Sequence, residues 1–547
     1  MKRSICALLL LSITTTVLLG QDLTSKFDAA KMRERVERLS ADDFEGRGPG
    51  NEGGKRAAQY IADQMKASGV KPANNSSYFQ NVKMIGVKAN PNTVLKVGND
   101  SLKFADEFVA TTSAQKDKVS VDADLVFVGY GIDAPNYKWN DYKGDPEDYR
   151  GKVLMIMVND PPATESEPNL FGGKGLTYYG RWTYKFEEAA RRGAAGVILI
   201  HTPESAGYGW NVVRTSNGNW RYEIARTPTD KTPFLNMKSW ATNEAATKIL
   251  KGANLNLDEL RAKAQNRGFV PVKTGLRVKL DLNSEMMSFD SPNVVGTVEG
   301  SDPKLKDEYV IYTAHWDHLG IGNPDASGDK IYNGAYDNAS GTAAVLGIAD
   351  VLAKMPTNQR PKRSAIFVFP TAEEQGLVGA EYYSLNPLVP LSKTAANINI
   401  DGANFVGKVS EFSPLGADRS SLMKLVELAA KERKYTLLPD LHPEQGFFYR
   451  SDHFPLAKVG IPAVHLKFGE NFDSSTSPEA IAFFKDYNTK YYHQPSDQAK
   501  SWWNYDAMVQ EAEFGLAIGI LAANALAMPH YNESDEFSPA DKRRFKK

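Results

Sequence analysis

The 547-residue sequence has a single cysteine, Cys6, and almost no net charge, −1 at neutral pH. Cys6 lies in an N-terminal segment that we expect to be removed. The mature chain then has no thiol for a disulfide bond, a thiolate metal ligand or a cysteine nucleophile. The charge balance shows no basic surplus for binding nucleic acid and no acidic surplus typical of a solvated tail. A hydrophobic fraction of 42% supports a packed core, and the length predicts more than one domain.

The sequence also lacks an apolar run long enough to cross a membrane, although its first residues are apolar. Lys2 and Arg3 precede apolar runs at residues 7–11 and 17–19, an order typical of a secretory signal peptide. A membrane span needs roughly 20 apolar residues, and this stretch is shorter. We therefore expect residues 1–20 to be a signal peptide and the protein to be exported, to the periplasm or the extracellular space.

Four segments follow the expected signal peptide. Residues 21–119 form an N-terminal segment, with helical patterning over residues 28–70. Residues 120–262 form a separate module of apolar strands and turns. Few ionisable residues cluster in this module, so we expect it to be non-catalytic. Residues 263–531 alternate strands with helices, which predicts an α/β fold with a layered sheet. Residues 532–547 are polar and predict a loose tail.

The strand–helix segment contains four short apolar runs that predict strands and four stretches that predict helices. The strands are residues 309–314, 365–369, 396–400 and 463–466. The helices are residues 341–354, 380–385, 421–434 and 514–528. The last helix is apolar but too short to span a bilayer, so it favours core packing.

Histidines and carboxylates lie at or just beyond the ends of these strands. They are His315 and Asp317, Asp337 before a helix, Glu373 and Glu374, Asp401, and His493. Each group alone has an ordinary interpretation, since an aspartate before a helix is usually an N-cap and a pair of glutamates is usually solvated. Ligands of open α/β sheets bind at the carboxyl ends of the strands, so the joint placement favours one site.

The residue types at this predicted site suit zinc, which binds nitrogen and oxygen ligands without sulfur. Two ions could share a bridging carboxylate supplied from a rigid helix N-terminus. A further carboxylate should hold a ligating histidine in its tautomer, and Asp317 is two residues from His315. One carboxylate must stay free to act as a base.

Six stretches resemble a zinc-dependent exopeptidase family that includes bacterial leucyl aminopeptidases and glutamate carboxypeptidase II. They are residues 314–320, 334–341, 372–377, 399–401, 450–453 and 492–493. The resemblance covers residues 275–527, with weaker similarity over 30–85 that includes Glu45-Gly46-Arg47. It implies a mixed central sheet flanked by helices. The module at 120–262 resembles an inserted, β-rich protease-associated domain, through residues 128–131, 151–153 and 193–197.

The resemblance also implies a role for each motif residue and two zinc ions per chain. Asp337 would bridge both ions, Glu374 and His493 would complete one site, and His315 and Asp401 would complete the other. Glu373 would be the general base, Asp317 would orient His315, and Tyr492 matches a position where some members place an oxyanion-stabilising tyrosine. The stretch Ser451-Asp452-His453 would shape the pocket wall or serve the fold alone. Tyr336 replaces an aspartate that many relatives carry, at a position that is not a ligand.

The resemblance and the signal-like N-terminus together imply an exported dizinc exopeptidase acting on peptide substrates, without nucleic acid or a stable membrane span. We expect an aminopeptidase, because no arginine cluster for a substrate carboxylate lies beside the motifs and Arg450 stands alone. A carboxypeptidase or dipeptidase on the same scaffold, a one-zinc glutaminyl cyclase and a non-catalytic binding relative stay open as alternatives. The sequence makes no prediction about the oligomeric state or the preferred terminal residue.

Overall fold

A computed structural model describes residues 23–546, so the predicted signal peptide at 1–20 lies outside the described residues. The chain divides into two compact units. The first unit draws its described residues from the ranges 1–82, 290–441 and 450–547, and the second unit comprises residues 83–289 and 442–449. Every predicted site residue belongs to the first unit.

The structure has strands and helices in both units. The helices, in chain order, are α1 Ala29–Leu39, α2 Glu52–Ala67, α3 Trp182–Arg191, α4 Pro203–Ala206, α5 Trp210–Gly218, α6 Asn243–Lys251, α7 Leu257–Ala264, α8 Gly341–Lys354, α9 Val378–Leu385, α10 Met423–Arg433, α11 His453–Lys458, α12 Pro478–Asp486, α13 Tyr505–Asn524 and α14 Ser538–Arg544. The strands are β1 Lys71–Pro72, β2 Phe79–Ala89, β3 Val94–Val97, β4 Asp100–Lys103, β5 Phe108–Thr111, β6 Lys118–Phe127, β7 Asp133–Ala134, β8 Trp139–Asn140, β9 Val153–Met157, β10 Gly196–His201, β11 Arg221–Ile224, β12 Met237–Thr242, β13 Val272–Val298, β14 Tyr309–Thr313, β15 Gly320–Ile321, β16 Ile331–Tyr332, β17 Ser364–Phe369, β18 Thr394–Ile400, β19 Glu411–Leu415, β20 Thr436–Leu437 and β21 Ala463–Phe468.

The first unit is built on a mixed sheet whose four central strands are parallel. Their order is β17, β14, β18 and β21, with β13 antiparallel on one side and β19 antiparallel on the other. Each predicted strand of the strand–helix segment appears within two residues of its expected bounds. The predicted fold class, a mixed α/β sheet flanked by helices, is confirmed.

Side chains alternate between the two faces of this sheet, as the pleat of a strand requires. Val310 and Tyr312 of β14 join a large core with α1, α2, α8, α10 and α13. Ile311 points to the other face and packs with Tyr383 of α9 and Leu456 of α11. The sheet is therefore buried on both faces, which explains why its strands read as continuous apolar runs.

The apolar helix predicted at 514–528 begins earlier and ends earlier, as α13. Glu511 and Glu513 interrupt the apolar pattern, but both are buried inside this helix. Glu511 accepts a hydrogen bond from the Asn404 N–H at 2.7 Å, and Glu513 pairs with Arg433. Among the helices of residues 23–546, none combines the length and apolarity of a membrane span.

The second unit is rich in strands. Strands β6, β9, β10 and β12 run parallel, and β5 pairs with β12 in the antiparallel direction. Helices α3 and α6 pack on β10. The assignment of this module to the protease-associated fold, and the bounds 120–262, stay predictions.

The expectation of a loose tail at 532–547 is wrong for its described part. Residues 538–544 form α14, and Asp541 is buried. Its carboxylate accepts hydrogen bonds from the Tyr531 N–H at 2.9 Å and from Arg544 Nε at 2.8 Å. Arg544 also donates to the backbone oxygen of Leu391 at 3.0 Å. Polar residues that predict a solvated tail therefore form hydrogen bonds that hold the chain end in the first unit.

Candidate metal centre

Three of the motif segments leave neighbouring parallel strands at the same edge of the sheet. His315 follows β14, Glu373 and Glu374 follow β17, and Asp401 follows β18. Because β14 lies between β17 and β18, these side chains meet beyond the carboxyl ends of the strands. The sheet order therefore brings together residues that are up to 86 positions apart in the chain.

Asp337 and His493 come from loops, and Asp497 holds those loops together. The Asp497 carboxylate accepts hydrogen bonds from the Tyr336 N–H at 3.0 Å and the Asp337 N–H at 3.2 Å. It also accepts one from the Tyr487 hydroxyl at 2.9 Å. The loop of the last predicted ligand is thereby fastened to the loop of the predicted bridging aspartate.

The five predicted ligands converge on one buried point of the first unit. His315 Nε2 lies 3.2 Å from Asp337 Oδ1 and 3.2 Å from Asp401 Oδ1. His493 Nε2 lies 2.9 Å from Glu374 Oε2 and 3.4 Å from Asp337 Oδ2. Asp337 therefore presents one oxygen to each histidine, which is the arrangement that a bridging ligand requires.

The residues fit zinc by their chemistry and by their unmet contacts. Among the described residues, the buried His493 Nε2 has no hydrogen-bond partner, although two carboxylate oxygens lie within 3.4 Å. A buried ring nitrogen that faces two carboxylate oxygens without hydrogen-bonding either is what a shared cation would satisfy. His315, Asp337 and Asp401 also offer ligand atoms that all lie within 4.8 Å of one another.

His318, whose sequence pattern predicts no role, also lies at the site. It is fully buried, and its Nδ1 donates to Glu374 Oε1 at 2.6 Å. With Asp337 and Glu374 it forms a second possible metal-binding group. The sequence offers one indication of this role, because His318 lies three residues after His315 in the same motif.

The two neighbouring glutamates have opposite protonation preferences. Burial and the charges of Glu374 and Asp401 raise the pKa of Glu373 well above its usual value. Burial alone would raise the pKa of Glu374 too, but the charges of His493 and His318 lower it to about 2. Glu374 is thus favoured as an anionic ligand, and Glu373 takes up a proton readily, as a general base must.

Asp317 contacts both His315 and Glu373, through different atoms. His315 Nδ1 donates to the Asp317 backbone oxygen at 3.2 Å, while the nearer carboxylate oxygen lies 3.9 Å away. The same carboxylate oxygen accepts a hydrogen bond from the Glu373 N–H at 3.1 Å. Burial raises the pKa of Asp317 to about 7. The backbone of Asp317 thus orients the histidine, and its side chain holds the segment of the predicted base.

Tyr492 is exposed beside the predicted ligand His493, whereas Ser451 is buried against the predicted ligand Asp401. The Tyr492 side chain is 46% exposed, and its ring stacks on the His493 ring with centroids 3.8 Å apart. Ser451 is buried, and its Oγ donates to Asp401 Oδ2 at 2.6 Å. Asn399 Nδ2 donates to the same Oγ at 2.8 Å. Ser451 therefore holds a predicted ligand in place, a contact that its motif position did not reveal.

Parts of the chain are similar to known peptidases. Residues 293–514 match peptidase family M28. A stretch of 141 residues is 35% identical to the aminopeptidase NAALADL1 of Mus musculus, over 24% of this chain and 17% of that protein. A stretch of 90 residues is 39% identical to a probable zinc metalloprotease of Leptosphaeria maculans, over 16% of this chain and 19% of that protein. The chain spans less than a fifth of the length of these curated relatives.

Among solved structures, an aminopeptidase from Aneurinibacillus sp. strain AM-1 has a similar fold. The TM-score is 0.50 at 19% sequence identity, over 92% of this chain and 96% of that chain. This likeness supports the fold, and the family match covers all five predicted ligands. Residues 293–514, which hold all the predicted ligands, thus match peptidase family M28, as the predicted resemblance to zinc-dependent exopeptidases implies.

Proposed function

We propose that the protein is an exported aminopeptidase that uses two zinc ions to hydrolyse the peptide bond next to a free N-terminus. The observation that carries this proposal is Asp337, whose two oxygens face two histidines, each of which also faces a carboxylate of its own. His315 and Asp401 would hold one ion, and His493 and Glu374 the other, with Asp337 between them. When bound, the zinc ions would supply Lewis acidity and lower the pKa of a water molecule.

Glu373 is positioned to move the proton. Its Oε2 lies 3.9 Å from His315 Nε2, and its backbone is held by the Asp317 carboxylate. It would take a proton from the attacking water and return it to the leaving amine as the peptide bond breaks. A covalent acyl-enzyme is not expected, because the mature chain has no cysteine and no serine in a nucleophile-elbow motif.

The contacts of Arg47, which reaches the loops of the predicted ligands, favour a substrate amine over a substrate carboxylate. The buried Arg47 directs its guanidinium to backbone carbonyls, so it offers no fork for a substrate carboxylate. The names of the relatives, an aminopeptidase and a probable zinc metalloprotease, support the same activity.

A set of peptide substrates tests the proposal. Aminoacyl and N-blocked peptides would be compared, with zinc content measured before and after treatment with a chelator. We expect two zinc ions per chain, cleavage of free-amine substrates only, and loss of activity on chelation that added zinc restores. Cleavage of N-blocked peptides would refute the aminopeptidase assignment. A zinc content of zero in a folded, fully active protein would refute the metal mechanism.

Secretion is also part of the proposal, and it rests on the signal-like sequence at residues 1–20. Expression of the full chain with a signal-deleted control would test it. We expect a shortened mature protein outside the cytoplasm from the full chain only, as measured by fractionation and N-terminal sequencing.

A further inference from the structure

Arg47 lies outside the segment that matches the peptidase family, yet its side chain reaches the loops of the metal centre. It ends a short 3₁₀ segment at residues 42–47 and is completely buried. Nε donates to the backbone oxygen of Trp316 at 2.8 Å, and Nη2 donates to that of Gly334 at 2.8 Å. Nη1 donates to the backbone oxygens of Asn333 at 2.6 Å and Leu39 at 2.7 Å.

Three of these carbonyls belong to the two loops that carry zinc ligands. Trp316 lies directly after His315, and Gly334 lies three residues before Asp337. The backbone oxygen of Arg47 also accepts the N–H of His318 at 3.3 Å. One side chain therefore ties the His315 loop to the Asp337 loop, and it anchors both to the end of α1.

The backbone next to Arg47 shows how closely this segment approaches the two loops. Gly46 has a φ of +63°, and a Cβ atom at this position would lie 2.5 Å from the backbone oxygens of Gly320 and Tyr332. Those residues belong to the hairpin of β15 and β16, which connects the His315 loop to the Asp337 loop. Only glycine fits this approach, so the segment at 42–47 packs directly on the connection between the ligand loops.

Arg47 contacts the backbone of the loops and not their side chains. A buried guanidinium is costly unless its donors are satisfied, and here backbone carbonyls accept hydrogen bonds from four of its five N–H groups. No carboxylate hydrogen-bonds it among the described residues, although Asp317, Asp497 and Asp337 lie close enough to favour its charge. The planar fork matters because it points donors in fixed directions, which the single ammonium of lysine does not reproduce.

We propose that Arg47 is a positioning residue of the metal centre, which holds the His315 and Asp337 loops at the separation that zinc requires. This inference rests on the proposed dizinc function. It assigns part of the site to the N-terminal segment, outside residues 293–514.

The experiment compares Arg47→Met and Arg47→Lys with matched changes at Arg363. Arg363 is also buried and donates to backbone oxygens, including that of Ala525 at 2.6 Å, and in addition to Glu308 at 2.8 Å. It precedes β17, whereas Glu373 follows that strand, so it lies at the other end of the strand from the site. Zinc affinity is measured by competition with a chromophoric chelator, and folding is followed by circular dichroism. We expect both Arg47 variants to bind zinc about 10- to 100-fold more weakly, as is usual for residues that orient metal ligands. Arg363→Met should lose stability and keep the wild-type zinc affinity.

The alternative outcomes separate this inference from the proposed function. A folded Arg47→Met or Arg47→Lys variant with wild-type zinc affinity would overturn the positioning role, as would an equal loss of affinity in Arg363→Met. Arg47 variants that fail to fold even with excess zinc would also overturn it, because the residue then serves the fold alone. Wild-type protein that binds no zinc would overturn the proposed function itself.

Discussion

At the scale of single residues, the surroundings of a side chain decide its role more than its type does. Glu373 and Glu374 are adjacent and chemically identical, but only Glu374 lies against His318 and His493. Burial raises the pKa of Glu373, whereas the two histidines lower that of Glu374 to about 2. One glutamate is thereby suited to hold a cation and the other to carry a proton.

Replacing Glu373 by glutamine tests its role as the base. The amide keeps the shape of the side chain but cannot accept the proton, so turnover should fall by at least about 10²-fold. Zinc content and KM should change little, since the residue is not a predicted ligand. Steady-state kinetics with zinc analysis would measure both. Near-normal turnover would contradict the assignment.

His493 and His318 both face Glu374, and glutamine variants distinguish the ligand from its neighbour. His493→Gln should lose one of two zinc ions, whereas His318→Gln should keep both and bind them about 10- to 100-fold more weakly. His530→Gln, whose imidazole pairs with Asp541 away from the site, is the control and should bind zinc normally. Loss of an ion in His318→Gln alone would reverse the ligand assignment.

At the scale of elements, α13 shows how a nearly fully buried helix accommodates charge. The Oε2 atom of Glu511 accepts one backbone hydrogen bond, and its Oε1 has no partner among the described residues. Burial raises the pKa of Glu511 to about 7. Between its ordinary pKa and about pH 7, the folded state therefore holds a proton that the unfolded state has released, so stability from this group falls as pH rises.

Glu511→Gln tests whether the buried carboxyl of Glu511 lowers the stability of the fold as pH rises. The amide does not titrate, so the variant should gain stability relative to wild type as pH rises from about 4.5 to 7, by at most ~3 kcal/mol. Denaturant unfolding at several pH values measures the difference. Glu513→Gln in the same helix is the control and should destabilise at neutral pH, because it removes the ionic partner of the Arg433 side chain. Parallel pH curves for wild type and Glu511→Gln would contradict the prediction.

The elements that the sequence predicted well are those with one uniform environment. Strands β14, β17, β18 and β21 are buried on both faces, so each reads as an apolar run. The apolar run places helix α13 at 514–528 rather than at Tyr505–Asn524, because Glu511 and Glu513 are polar residues in an apolar environment. The chain end predicts a loose tail because partners such as Tyr531 and Asp541 form their hydrogen bond only in the folded chain.

The predicted ligands of the site could be found from the sequence in the same way. They are histidines and carboxylates at the ends of apolar strands, and neighbouring strands of a sheet bring such residues together. The contacts of Ser451, His318 and Arg47 were not readable, because hydrogen-bond direction depends on the positions of distant loops. Arg47 in particular lies 268 residues before His315, with no local signal of the carbonyls that it contacts.

At the scale of the whole molecule, zinc should couple to stability and to pH. In the metal-free protein, burial alone would lower the pKa of His493, but the negative charges of the nearby Glu374 and Asp337 raise it to about 10. That group therefore stabilises the metal-free fold below its unfolded pKa of about 6.5, and this contribution is lost as pH rises toward 10. Zinc must displace the same proton, so its binding strengthens over the same range.

The rise in melting temperature on adding zinc should therefore be larger at pH 8 than at pH 6. The zinc concentration is held the same at both pH values. If it equals about 100 times the Kd at pH 8, binding adds about 2.7 kcal/mol to the free energy of unfolding at that pH. Thermal melts of the full protein with zinc and with chelator measure this. His493→Gln provides the comparison, since its increment should depend less on pH. An increment that shrinks with rising pH in the wild type would contradict the coupling.

Asp337 offers one carboxylate oxygen to each of the two histidines, so two zinc ions bound as proposed would form a single thermodynamic unit. If binding of the first ion orients that carboxylate and changes the affinity for the second ion, binding of the second ion must change the affinity for the first by the same factor, because linkage between binding sites is reciprocal. Occupancy should then be cooperative. Asp337→Asn should impair both ions at once, whereas a change in Asp401 or Glu374 should affect one ion directly and the other only through this shared carboxylate.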